Sequence, residues 1–193
     1  YDAENMQRTK ALIKSVNRSS SSTPNATIYH LIFHPEDSNI ILSASANDRI
    51  LIWDIRSGTS ERCINGPHLH GQGLDMHDGQ ILTVSSRDKK QLELWDFSTL
   101  RKIRDFSLDT TMAGGDCFPI AGKIARNGID LVAGGSGANL SQVFDFVKGD
   151  IVGQSNPYQS PVVNLGLSPF GASFINGHEN GEINCYMIRT RQF

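Results

Sequence analysis

The feature that most restricts how this 193-residue chain can fold is an aromatic residue that recurs at the end of a strand–turn–strand pattern. In the clearest copy, residues 39–56, apolar Ile41 and Leu42 lead into small residues and a polar turn. Alternating apolar residues then run to Trp53 and Asp54. An apolar residue at every second position is typical of a half-buried β-strand, and a short polar segment between two such runs is typical of a tight turn. Each copy therefore predicts a β-hairpin.

The same layout occurs four times along the chain. Its aromatic positions, each with the residue that follows, are Trp53-Asp54, Trp95-Asp96, Phe144-Asp145 and Tyr186-Met187. Successive aromatic residues lie 42, 49 and 42 positions apart. Short apolar segments precede the hairpins, as at residues 28–35 and 162–169, and others follow them, as at residues 101–108. The repeat predicts an all-β fold built from units of four strands, which is the composition of a propeller blade.

These repeats make the chain resemble the WD40-repeat family. The resemblance implies a β-propeller over residues 1–193, with structural repeat positions at Trp53, Asp54, Trp95, Asp96, Phe144, Asp145 and Tyr186. The end of one blade is expected at residues 1–22, and further blades approximately at 23–65, 66–110, 111–157 and 158–193. The Gly-His dipeptide that usually stands before the first strand of each blade in the family is missing, and Asn47 stands where the family has a turn aspartate. We therefore expect an incomplete form of the family's hydrogen-bond network between His, Ser, Trp and Asp.

Two interpretations of the blade number follow. The chain opens with Tyr1 and Asp2 and a strand-like segment at residues 9–16, which matches the end of a blade. About four to five blades are then present, and we predict that they form the C-terminal part of a larger, seven-bladed propeller. In the alternative, residues 10–16 supply the outermost strand of the last repeat. That strand would close a ring of four blades with a ligand- or peptide-binding face.

Composition and motifs indicate a protein that is not an enzyme. A net charge of −2 at pH 7 predicts neither nucleic acid nor a membrane surface as a partner. The glycine-rich segment 133–137 lacks the lysine of a phosphate-binding loop, and no Gly-x-Ser-x-Gly motif occurs. His68 and His70 have the spacing of two metal ligands on one strand, but no local cluster of cysteines or carboxylates completes the set. We predict no catalytic residue, no metal and no cofactor.

The resemblance implies a scaffold whose partners are other proteins or peptides, including those of a multi-subunit complex. Propellers bind such partners through loops on a rigid support. The chain has an odd number of cysteines, far apart in sequence, at Cys63, Cys117 and Cys185. They indicate reduced thiols of an intracellular, cytoplasmic protein, with the nucleus, cytoskeleton or cilium as alternatives.

A second functional hypothesis depends on Arg56. Residues 41–56 resemble the WDxR box of substrate receptors of cullin-RING ubiquitin ligases, in which the arginine helps to dock the propeller-shaped adaptor of the ligase. The segment departs from the box at Asn47, and the second repeat has Phe97 and Ser98 in place of the box's last two residues. We therefore favour the plain scaffold, and keep Arg56 as the candidate partner-binding residue.

Overall fold

The computed structural model describes residues 26–111 and 114–188, and all regular structure within them is β-strand. The first sheet contains β1 (Ile28–Phe33), β2 (Ile40–Ser45), β3 (Arg49–Asp54) and β4 (Thr59–Asn65). The second contains β5 (Leu74–His77), β6 (Gln80–Val84), β7 (Leu92–Asp96) and β8 (Lys102–Phe106). The third contains β9 (Cys117–Ile124), β10 (Asp130–Gly137), β11 (Ser141–Asp145) and β12 (Ile151–Gln154). The fourth contains β13 (Val162–Leu167), β14 (Ser173–His178) and β15 (Ile183–Met187).

Each sheet is an antiparallel meander, in which strands that are neighbours in sequence pair with each other. The aromatic repeat positions occupy the same place in every sheet, on the third strand and opposite an apolar residue of the second. These pairs are Trp53 with Ile41, Trp95 with Ile81, Phe144 with Leu131 and Tyr186 with Phe174. The prediction of an all-β fold is confirmed. Residues 1–22, including the proposed closing strand at 10–16, lie outside the described residues.

Residues in the left-handed backbone region frame the third strands. Five positions before each aromatic residue stand Asp48 (φ 58°), Lys90 (φ 54°), Asn139 (φ 48°) and Gly181 (φ 87°). Five positions after the first three aromatic residues stand Gly58 (φ 78°), Leu100 (φ 55°) and Gly149 (φ 83°). Glycine, asparagine and aspartate tolerate this region best. The polar turn in each copy of the sequence repeat therefore has a left-handed residue at the equivalent position.

The hydrophobic core lies between consecutive sheets. Leu42 and Ile50 of the first sheet pack in one cluster with Leu74 and Ile81 of the second. A further cluster joins the second and third sheets, and another joins the third and fourth. Because successive side chains of a strand point to opposite faces, Ile81 packs toward the first sheet and Leu82 toward the third. Each sheet thus supplies apolar residues to both of its neighbours, as the need to stack repeats requires.

The first strands of the sheets lie beside one another. β1 contacts β5, β5 contacts β9, and β9 contacts β13. The first strands therefore line the inside of the array and the last strands lie outside, which is the arrangement of blades in a β-propeller. Within the described residues, there is no helix with the length and apolar character of a membrane span.

Candidate functional site

The meander places the connections between strands at two opposite ends of the array. We call one end the cleft face. It carries the turns after first and third strands, at residues 34–39, 55–58, 78–79, 97–101, 125–129, 146–150 and 168–172. We call the other end the linker face. It carries the turns after second strands and the segments between sheets, at residues 46–48, 66–73, 85–91, 107–111, 114–116, 138–140, 155–161 and 179–182.

A cleft of about 380 Å³ opens at the cleft face. It is lined by the ends of β1, β5, β9 and β13, so that all four sheets contribute to it. Phe33, Met76 and Leu167 form part of its apolar wall, and Lys123 and Arg126 bring positive charge to it. A concave site with an apolar wall and a few placed polar groups is the usual form of a ligand-binding site in a protein.

The charged groups of the cleft are only partly neutralised. Asp75 accepts a hydrogen bond from the Ile124 backbone N–H at 2.8 Å, and its other carboxylate oxygen lies 3.8 Å from the Lys123 ammonium nitrogen. These contacts tie β5 to β9. The Arg126 side chain is exposed, and no ion-pair partner for it occurs among the residues that the structure describes. The lining of this cleft therefore carries two cationic groups, Lys123 and Arg126, and one carboxylate, Asp75, which pairs with Lys123.

A neutral histidine lies close to the same positive charge. Burial, together with the charge of Lys123, lowers the pKa of His30 from its ordinary value of 6.5 to about 4. Its Nδ1 atom accepts a hydrogen bond from the Leu74 backbone N–H at 3.3 Å. His30 is therefore uncharged at neutral pH, and it links β1 to β5.

Exposed apolar side chains also occur on the cleft face. Phe33 is 63% exposed and Phe170, in the turn between β13 and β14, is 85% exposed. Ile129 and Val147 are exposed in the turns of the third sheet. The side-chain amide of Asn127 lies 3.4 Å from the Phe170 carbonyl oxygen and joins two of these turns. Large exposed apolar groups beside a cleft are typical of a protein–protein interaction surface.

Arg56, the candidate partner-binding residue of the sequence, lies on the cleft face in the turn between β3 and β4. Its side chain is 66% exposed. The guanidinium donates to both carboxylate oxygens of Asp54, through Nε at 3.0 Å and Nη2 at 2.7 Å. Hydrogen bonds from Arg56 lower the pKa of Asp54 to about 2. A partner carboxylate would therefore compete with Asp54 for the guanidinium of Arg56. Partner binding by Arg56 stays a prediction.

The aspartates that follow the aromatic residues hold turns together. The Asp54 carboxylate accepts the Arg56 backbone N–H at 2.8 Å. Asp96 accepts both the backbone N–H and the hydroxyl of Thr99, and these bonds lower its pKa. In the third sheet, Asp145 accepts the backbone N–H groups of Val147 and Lys148 at 3.0 and 2.8 Å. Such side-chain bonds to the backbone stabilise turns, so these carboxylates are bound to their own turns.

The aromatic repeat positions lie in separate sheets and do not form a common site. Trp53 and Trp95 donate their indole N–H to Ser43 and Thr83 on the neighbouring strands, at 2.8 and 3.0 Å. Phe144 is fully buried. Tyr186 stacks on Phe174 with ring centroids 5.0 Å apart. Each aromatic side chain is therefore bound within its own sheet or the core beside it.

Three polar contacts of the linker face and the second sheet were missed by the sequence analysis. His68 Nδ1 lies 2.5 Å from an Asp48 carboxylate oxygen, joining the β2–β3 turn to the segment between the first two sheets. Glu93, only 4% exposed, binds Arg87 at 2.7 Å and Lys102 at 3.3 Å. No motif in the sequence distinguishes these paired basic groups from basic groups that lie in solvent.

The charged residues of the cleft were missed as well, although a signal for them exists. Asp75 and Lys123 occupy equivalent places on first strands, 20 positions before Trp95 and 21 before Phe144. Counting backward from the aromatic residues would have placed both on first strands at equivalent positions, but it does not show that the two strands are neighbours. Nothing comparable identifies Phe33, because its exposure depends on how the first sheet is packed.

No family model matches the chain, but known proteins of similar sequence do. Eukaryotic translation initiation factor 3 subunit I from Drosophila simulans and from Drosophila virilis are each 24% identical to it over 176 residues. The matches cover 86% of this chain and 53% of each relative, so the chain spans about half the length of the curated relatives it matches. Subunit I is a WD40 protein, and the similarity supports a WD40-type family for this chain.

A solved structure gives the same indication about the fold. The structure of U3-55K superposes with a TM-score of 0.68 at 13% sequence identity, covering 86% of this chain and 50% of that one. At this identity the likeness concerns the fold alone. Together with the four antiparallel sheets, it supports the predicted propeller architecture, while the seven-bladed ring stays a prediction.

Proposed function

We propose that this chain is a non-catalytic scaffold of the WD-repeat type that binds partner proteins within a multi-subunit assembly of the cytoplasmic translation initiation machinery. The observation that carries the proposal is the cleft, because all four sheets contribute to one concave surface with exposed apolar groups on the same face. A surface of this form suits a segment of another protein. The proposal includes the predicted blade boundaries, the seven-bladed ring, and proteins as partners in place of nucleic acid or membrane.

The comparisons support the kind of assembly. The curated relatives are subunits of eukaryotic translation initiation factor 3, and the similarity extends over 86% of this chain. A subunit must bind its neighbours through its surface, and large exposed side chains such as Phe170 lose unfavourable contact with water when a partner covers them. Scaffolding therefore accounts for both the similarity and the character of the cleft face.

The experiment is purification of the tagged full-length protein from cells, followed by mass spectrometry of the proteins that accompany it. We expect other subunits of translation initiation factor 3 to be recovered, and the tag alone to recover none. The Arg56→Ala variant serves as a matched comparison. If the cullin-ligase adaptor is recovered instead, and is lost with Arg56→Ala, the ligase hypothesis replaces this proposal. If neither assembly is recovered, a role in translation initiation is wrong.

A further inference from the structure

We infer that the cleft binds a peptide segment in which a carboxylate side chain stands close to a large apolar side chain. This inference rests on the proposed scaffold function and specifies the chemistry of the partner. It depends on the arrangement of Phe33, Lys123, Arg126 and Leu167 in one cleft.

The cleft carries positive charge that no carboxylate of the described residues fully neutralises. Arg126 is exposed and has no acidic partner within residues 26–111 and 114–188. A guanidinium matches a carboxylate in shape and binds it through two parallel N–H donors. Lys123 adds a second cation, while its partner Asp75 lies 3.8 Å away and also accepts the Ile124 backbone N–H. A carboxylate from a partner therefore finds unsatisfied positive charge here.

The wall of the cleft also exposes apolar side chains. Phe33 is 63% exposed to water although it lines the cleft, and Met76 and Leu167 line it as well. A volume of about 380 Å³ lies near the lower end of the range for ligand-binding pockets, which suits a few side chains and not a whole folded domain. An apolar side chain placed there would remove Phe33 from water while the neighbouring carboxylate reaches Arg126.

Charge also favours a peptide over single-stranded RNA. RNA-binding grooves follow the phosphate backbone with many cationic groups. This cleft has two cations and places the carboxylate of Asp75 among them, and the chain carries a net charge of −2. A single carboxylate avoids the repulsion that a row of phosphates would meet at Asp75.

The test is a selection of displayed random peptides on the immobilised full-length protein. Three forms are compared: the wild type, Arg126→Glu, and Lys89→Glu as a matched charge reversal on the linker face, where Lys89 is also exposed. Melting temperatures establish that the variants fold. We expect the wild type and Lys89→Glu to enrich peptides with Asp or Glu near Phe, Leu, Met or Trp. Arg126→Glu should bind a selected peptide about tenfold more weakly, a loss that Lys89→Glu does not share.

The selected peptide then gives the deciding comparison. Replacing its Asp or Glu with Asn or Gln should weaken binding to the wild type and have little effect on binding to Arg126→Gln. The inference is overturned if the enriched peptides lack acidic residues, if the amide peptide binds equally well, or if single-stranded RNA displaces the peptide and itself binds more tightly. If the Arg126→Glu variant still recovers the initiation factor subunits from cells, the proposed scaffold function is supported. The inference that the cleft binds an acidic segment of the partner is then wrong.

Discussion

At the scale of single residues, Trp53 and Arg56 of the first repeat have different roles. Trp53 is 7% exposed and gives its indole N–H to Ser43, so its contribution is to packing and to one buried hydrogen bond. Arg56 lies three positions further along. Its side chain is mostly exposed to water, and its guanidinium binds the Asp54 carboxylate. One residue therefore stabilises the sheet, while the other presents charge at the surface.

Truncating these two residues should separate their roles. Trp53→Ala removes a buried aromatic side chain and should cost about 3–5 kcal/mol in the free energy of unfolding. Arg56→Ala removes a surface pair and should leave the melting temperature close to that of the wild type. Thermal denaturation of both variants checks this. Equal losses in melting temperature would mean that Arg56 is structural.

The hydrogen bond between Trp53 and Ser43 should appear as an energetic coupling. Ser43→Ala leaves the indole N–H buried without an acceptor, which costs about 1–3 kcal/mol. Trp53→Phe removes that donor, so Ser43→Ala should cost clearly less in the Trp53→Phe background. A double-mutant cycle by denaturant unfolding measures the difference. Additivity within about 0.5 kcal/mol would show that the bond contributes nothing.

His30 should make the protein sensitive to mild acid. The pKa of His30 is about 4 in the folded protein and 6.5 ordinarily. Between pH 4 and pH 6.5, His30 is therefore protonated in the unfolded chain and neutral in the folded protein. The contribution of His30 to stability is therefore complete above pH 6.5 and declines as the pH falls toward 4. His30→Gln does not titrate, and its melting temperature should fall less than that of the wild type between pH 7 and pH 4.5. Parallel pH profiles for the two proteins would contradict the burial of His30.

At the scale of elements, the turns that follow the third strands of the first three sheets share one geometry although their sequences differ. Gly58, Leu100 and Gly149 stand at equivalent places, each reached by the same turn from an aspartate at the end of the third strand. Their backbone N–H groups donate to the carbonyl oxygens of Asp54, Asp96 and Asp145 at 2.7–2.8 Å. The turn geometry is thus retained even where leucine replaces glycine.

A pair of glycines in the third sheet tests the importance of this geometry. Gly149 has a φ of 83°, and a Cβ there would meet only Phe106, at 3.7 Å. Gly149→Ala should therefore cost about 1–2 kcal/mol through the backbone alone. Gly153, in β12, lacks the positive φ and has room for a Cβ 3.8 Å from Val143, so Gly153→Ala should cost nothing or stabilise slightly. Equal effects of the two substitutions on unfolding would show that the left-handed turn is unimportant.

At the scale of the whole molecule, the sequence predicts the fold far better than the site. Trp53 and Trp95 could be placed because the alternation before them is local and repeats with a near-constant period. The cleft could not be placed, because Phe33, Asp75, Lys123 and Leu167 come from four different sheets. Only the stacking of those sheets brings them together. The partnership of Arg56 with Asp54 also needed the structure, since spacing alone does not say where a long side chain points.

The central claim is that the cleft face binds the partner protein. Lysine-reactive cross-linking of the purified assembly, with mass spectrometry of the linked peptides, tests it directly. Lys123 lines the cleft and Lys148 is exposed on the same face, whereas Lys89 and Lys90 are exposed on the linker face. We predict links to partner subunits from Lys123 and Lys148 and none from Lys89 and Lys90. Links confined to Lys89 and Lys90 would place the partner on the linker face and contradict the claim.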